Sequence, residues 1–166
     1  MRFVRSEPTM RAMGVIEFEI ERSIAAPIQD VFARLADIEG HNEWMPSKGS
    51  ILARTQQTSP GTPGLGTTYL DKTSFGSTPG EIVEFEPPHL LVYHWWNRSG
   101  GGRLQTEGWP GYRLVAHGDD ETLVRHHAKL VTYGLYRAAG PMLGRVAKRE
   151  RTATMEALAA SFETSS

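Results

Sequence analysis

Hydrophobic and polar residues alternate strictly over 15–24: Ile16, Phe18 and Ile20 fall on one side, Glu17, Glu19 and Glu21 on the other. A period of two with one acidic face predicts a strand buried on a single side. The period then lengthens. Ile28, Val31, Phe32 and Leu35 recur at i, i+3, i+4 and i+7, which marks an amphipathic helix. Pro27 stands where such a helix begins, and its missing N–H is harmless there. A second, short helix is predicted over 37–44, stopped by Pro46.

From residue 50 the pattern becomes one of short strands separated by turn residues, predicted over 50–56, 67–74, 81–86, 90–96, 112–117 and 122–131. Segment 58–64 holds two Pro and two Gly and reads as a loop. Residues 76–80 read as a turn and the glycine-rich 97–102 as a mobile loop. Gly118-Asp119-Asp120-Glu121 joins the last two strands as a hairpin. Strand 90–96 is apolar and aromatic throughout, as a central strand would be. Tyr93 and Trp95 share one of its faces, His94 and Trp96 the other, and the pattern alone leaves open which face looks inward. Residues 141–162 favour one long helix, with an apolar stripe of Leu143, Ala147, Thr154, Leu158 and Phe162, and Met155 beside it. Gly134 and Gly140 predict a break before it. The order is β-α-α-β6-α. It predicts an α+β domain: a curved antiparallel sheet of about seven strands around a C-terminal helix, with a cavity between them. Residues 1–13 carry Arg2, Arg5 and Arg11 but no apolar core. They read as a disordered tail, or an extension from an upstream start, rather than a secretory signal, leaving 14–163 as a single domain.

Composition narrows the function classes. A chain of 166 residues can bury roughly 70% of its unfolded surface in one core. Lys and Arg number 18 against 19 Asp and Glu, so no global field is aimed at nucleic acid. There are no cysteines, which removes disulfides, thiolate nucleophiles and sulfur-rich metal sites. No apolar run approaches the roughly 20 residues of a membrane span. Together these features predict a cytoplasmic monomer or homodimer without stable membrane insertion, nucleic-acid partner, metal or cofactor.

Candidate chemistry rests on three groups. The aromatics Trp44, Tyr93, Trp95, Trp96, Trp109 and Tyr112 could form a flat wall for a ligand or simply fill the core. Among the histidines 41, 89, 94, 117, 126 and 127, none has a metal-binding spacing. Val124, His126, Ala128 and Leu130 form the more apolar face of their strand, as Tyr112, Leu114 and Ala116 do of the partner strand. That points His126 and Tyr112 inward, where they could move a proton; the plainer reading is a hydrogen-bonded structural histidine. Arg151 projects into the apolar stripe of the last helix at 100° per residue. There it could hold a carboxylate or phosphate, pair with a buried acid, or reach the edge. The 145–151 basic run reads as a solvated helix face. No phosphate-binding glycine loop or nucleophile elbow is present.

The stretch Ala26-Pro27-Ile28-Gln29-Asp30-Val31-Phe32 and the segment 37–46 ending in Trp44-Met45-Pro46 resemble the START-like (SRPBCC, helix-grip) superfamily. So do Gly64-Leu65-Gly66-Thr67, Glu84-Phe85-Glu86-Pro87-Pro88, Leu91-Val92-Tyr93-His94-Trp95 and the 112–131 hairpin. Within it, the chain is similar to the polyketide cyclase/dehydrase and lipid-transport group, over nearly all of 15–162. The resemblance implies the helix-grip fold. It also implies a hydrophobic or aromatic small-molecule ligand, lipid- or polyketide-like, but no catalytic residue, since the superfamily shares none. On this reading Trp44, Tyr93, Trp95, Trp109, Tyr112, His126 and Arg151 contact the ligand. The mouth of the cavity would lie among 37–46, 76–80, 97–102 and 134–140. The alternatives are a polyketide cyclase/aromatase or dehydratase using His126 or Tyr112, and a protein-interaction module.

Overall fold

The structure is a computed structural model that describes residues 13–163; the expected tail, apart from Met13, lies outside the described residues. The elements run β1 (Met13–Ile24), α1 (Ile28–Ala36), α2 (His41–Trp44), β2 (Leu52–Gln57), β3 (Thr68–Thr73), β4 (Gly76–Glu86), β5 (Leu90–Arg98), β6 (Leu104–Ala116), β7 (Thr122–Tyr133) and α3 (Gly140–Glu163). A 3₁₀ turn, Gly134–Ala139, connects β7 to α3. All seven strands form one antiparallel sheet in the order β1-β7-β6-β5-β4-β3-β2. It is a meander with β1 added beside β7, and α1, α2 and α3 pack on its concave side. This is the sheet-around-helix arrangement the element order predicts, and the helix-grip fold the resemblance implies.

The core lies between sheet and helices. Ile24, Val31, Leu35, Ile38, Ile82, Leu91, Leu114, Val124, Met155 and Leu158 are all but inaccessible. The inward residues of α1 are the ones its i, i+3, i+4, i+7 spacing selects: Ile28, Val31, Phe32 and Leu35. In α3 the buried positions concentrate in its second half, at Thr154, Met155, Leu158 and Ala159. Leu143 and Ala147 are only half-covered. At the far end, the Arg34 guanidinium lies 3.6 Å from the centre of the Phe162 ring and donates to the Ser161 carbonyl at 2.9 Å, tying α1 to α3.

One expected turn is strand, and one strand starts earlier than expected. The segment 76–80 belongs to β4, pairing with β3 from Thr68↔Glu81 to Thr73↔Gly76. The stretch 104–111 extends β6 well upstream of Tyr112. Glycines at 80 and 108 read as breakers in isolation, but large aromatics on neighbouring strands fill the space they leave. A Cβ at Gly80 would clash with the hydroxyl end of the Tyr69 ring, and one at Gly108 would lie 2.5 Å from the Trp95 indole. In register, Tyr69, Gly80, Trp95 and Gly108 form one row across β3 to β6. Each ring of the row lies over a glycine.

Candidate functional site

The concave face changes character along the strands. Beyond the aromatic row lies a polar one. Thr55 pairs with Asp71 and Asp71 with Thr78. The Thr78 hydroxyl donates to Asn97 Oδ1 at 3.0 Å, Asn97 is opposite Thr106, and Thr106 is opposite Thr132. Thr55, Thr78, Thr106 and Thr132 are all buried. Apolar side chains would suffice for packing there, so a buried polar belt calls for hydrogen-bond partners.

Where this belt meets α2 and α3, the structure leaves a cavity of about 70 Å³. Ile38, Leu52, Trp95 and Pro110 supply apolar wall; Tyr69, Tyr93, Tyr112, Asp71, Arg151 and Glu150 supply polar groups. Arg151 is the central charge. Its field acts on Tyr112, Asp71, Tyr69, His41 and His126. Among the described residues no carboxylate lies within 4.0 Å of its guanidinium. Its neighbour Glu150 is engaged elsewhere, accepting from the Ser50 hydroxyl at 2.6 Å and the Ile51 N–H at 3.2 Å.

Asp71 is the acid that shares the site. Burial raises its carboxyl above the usual range, while the Thr55 hydroxyl and the Arg151 charge pull it partway back. The three tyrosines are pushed up, chiefly by desolvation, and stay protonated donors. They are not equivalent. Tyr93 donates to the Leu35 carbonyl at 2.6 Å, and the same oxygen accepts from His41 Nε2 at 2.8 Å. Those bonds satisfy an orphan carbonyl at the end of α1, so Tyr93 contributes ring surface to the cavity while its hydroxyl serves the fold. His41, itself a cavity residue, is fixed by that bond as the Nε2–H tautomer. Burial lowers it to about 4, so it is neutral at neutral pH.

The remaining sequence candidates separate clearly. Tyr93, Trp95, Tyr112 and Arg151 line the cavity. His126 is inward but one layer deeper, fully buried and stacked on Tyr112 at 4.3 Å between ring centres. Its Nδ1 donates to the Gly111 carbonyl at 2.8 Å, so its Nε2 carries a bare lone pair, without a partner in its buried surroundings. Burial, then the Arg151 charge, lowers it to about 3. Trp44 packs edge-on against His41 at 5.5 Å rather than lining the cavity. Trp109 is on the opposite face of the sheet, stacked on His94 at 4.5 Å, with Lys129 over its ring. It stands an odd number of residues from Tyr112, and strand parity sends the two to opposite sides. The mouth is also narrower than expected. Met45, Pro46, Ser50 and Leu52 border the cavity; segments 76–80, 97–102 and 134–140 do not.

Sequence reasoning passed over Asp71, Tyr69, Thr55, His41 and Glu150. For Asp71 a signal existed: it is two residues from Tyr69 in one strand, so both share a face, and a buried tyrosine implied a buried carboxylate.

A model for the family described as polyketide cyclase/dehydrase and lipid transport matches residues 15–163. No curated protein matches the chain in sequence. Among solved structures, the Zhui aromatase/cyclase from Streptomyces sp. R1128 superposes with a TM-score of 0.70 at 14% identity, over 90% of this chain and 94% of its own. A START superfamily protein from Mycobacterium smegmatis gives 0.68 at 16%, over 92% and 100%. A truncated norcoclaurine synthase from Thalictrum flavum gives 0.66 at 13%, over 89% and 93%. At these identities the likeness is one of fold.

Proposed function

The chain belongs to the polyketide cyclase/dehydrase and lipid-transport family, and on that footing we propose that it binds a small, mainly apolar or aromatic molecule with one polar end. The observation that carries this reading is Arg151: a guanidinium facing a cavity with hydroxyls and an acid around it but no carboxylate in contact. Arg151 is half-buried at the cavity, where a charge ordinarily takes a partner, and a ligand carboxylate or carbonyl oxygen would supply one. Trp95, Pro110, Ile38 and Leu52 offer the apolar contact. The cavity as it stands has room for about two waters, so it takes only the polar end. The body of a larger ligand requires 45–52 to move outward, a segment outside any helix or strand except at Leu52.

One observation favours an enzymatic second reading. Asp71, raised by burial and set beside Arg151 and Tyr112, is a better-tuned proton carrier than His126. With a ketone in the cavity, Arg151 and Tyr112 would hold the oxygen. Asp71 would take a proton from the neighbouring carbon and return it, a step that cyclisation or dehydration can use. The Zhui aromatase/cyclase shows that this fold is used by an enzyme of that type.

The test is equilibrium binding of paired aromatic carboxylates and their uncharged amides. Saturable one-to-one binding that favours the carboxylate supports the reading. Arg151→Met should weaken carboxylate binding by about 2 kcal/mol, roughly thirtyfold. Trp109→Ala should leave it unchanged. Absence of saturable binding by either series, or an Arg151→Met protein that binds as the parent does, would overturn it.

A further inference from the structure

The surface at the start of α3 combines apolar exposure with charge of a single sign. Leu135 is 94% exposed, Met142 61% and Tyr136 42%. They protrude from the 3₁₀ turn Gly134–Ala139 and the first turn of α3. Leucine and methionine are seldom left this open, and an exposed cluster signals an interaction site. Residues 134–149 contain Arg137, Arg145, Lys148 and Arg149 and no acid. Without those four, the chain holds 14 Lys and Arg against 19 Asp and Glu. The whole-molecule balance therefore conceals a basic end on an otherwise acidic protein. At 100° per residue, Met142, Arg145, Lys148 and Arg149 fall within an arc of about 120° on one helix side, and all four are exposed. Arg149 makes only a loose, exposed contact with Glu150 at 3.8 Å, which holds it weakly. Beside this side runs an open groove lined by Ile16, Phe18, Gly144, Arg145 and Lys148, with Glu17 its one acid.

We propose that this end of the molecule docks peripherally on an anionic lipid bilayer. Leu135, Tyr136 and Met142 enter the headgroup layer, and Arg145, Lys148 and Arg149 meet lipid phosphates. Protruding apolar side chains ringed by cations are the chemistry of interfacial membrane contact. An acidic remainder would be repelled from an anionic surface in any other orientation. No helix of the described residues is long and apolar enough to cross a membrane, so the contact is with the surface only. The inference stands on this surface and does not depend on what the cavity binds.

The test is partition of the full chain onto vesicles of phosphatidylcholine alone and of phosphatidylcholine with phosphatidylglycerol. Binding is expected on the anionic vesicles only, falling as salt rises. Arg145→Gln with Lys148→Gln should lower partition roughly 25-fold, about fivefold per charge. Leu135→Ser with Met142→Ser should lower it about tenfold or more. Arg151→Met should leave it unchanged, which separates this surface from the cavity. Equal partition on both vesicle types, none on either, or insensitivity to both double variants would overturn the proposal. Self-association of the parent that Leu135→Ser abolishes, with vesicles left bare, would assign the patch to a second copy instead. The salt dependence of the parent gives an answer even if a variant fails to fold.

Discussion

Arg151 and Asp71 act on each other, and the pair determines how the cavity responds to pH. Burial raises the Asp71 carboxyl, so it takes up a proton above the pH at which an exposed aspartate would. While ionised it competes with a ligand anion for Arg151; once protonated it becomes a donor. Affinity for a carboxylate ligand should therefore rise as pH falls through the Asp71 titration, as long as the ligand itself stays ionised. Asp71→Asn should bind more tightly at neutral pH and lose that pH dependence, which binding titrations at several pH values would show. An unchanged pH profile in Asp71→Asn would place the responsive group elsewhere. Arg151 and Tyr112 were legible in the sequence from helix projection and strand parity. Trp109 was not, because its strand was read as starting after it, and parity has no meaning until an element's limits are known. His126 was correctly turned inward, yet Tyr112 stands over it, and layer depth is not encoded in a period of two.

At the level of elements, the sheet carries its aromatics over glycines. The Tyr69-Gly80-Trp95-Gly108 row explains why the glycine-bearing segments 76–80 and 104–111 continue as strand. A glycine weakens a strand alone, but here the neighbouring ring supplies the missing side chain. Gly108→Val should displace the Trp95 ring, costing about 1–3 kcal/mol as over-packed cores do and closing the cavity beside it. Chemical denaturation together with the Trp fluorescence spectrum checks both effects. Tyr93→Phe should cost about 1 kcal/mol through the loss of its bond to the Leu35 carbonyl, because His41 still serves that oxygen. Ligand affinity should remain nearly unchanged. A large affinity loss in Tyr93→Phe would mean that its hydroxyl faces the ligand. Long amphipathic or alternating elements, β1, α1, β7 and α3, were legible within a few residues. The departures are the turn read at 76–80, which belongs to β4, and the late start given to β6 at Tyr112, both where strand pairing decides what local sequence does not.

For the whole molecule, two buried neutral histidines predict the acid limit of the fold. His41 is lowered to about 4 and His126 to about 3, against about 6.5 in an unfolded chain. Between those values the unfolded state binds more protons, so stability is fully present above about pH 6.5 and is lost progressively as pH falls toward 4 and then 3. For His41 alone the loss is about 3 kcal/mol; Asp71, raised rather than lowered, partly offsets it. Melting temperature should drop steeply below pH 6, and less steeply in His126→Gln. A flat profile from pH 7 to 4 would mean that the histidines are not buried as described. The architecture joins these parts: a meander around α3 places a basic side chain from the helix and an acid from the sheet on one partly open cavity. The most direct measurement on that central claim is native mass spectrometry of the purified protein, with organic extraction of what accompanies it. The account predicts a bound apolar molecule of small mass with an acidic or carbonyl end, lost in Arg151→Met. A protein that carries nothing, and takes up no apolar carboxylate when offered a broad panel, would contradict it.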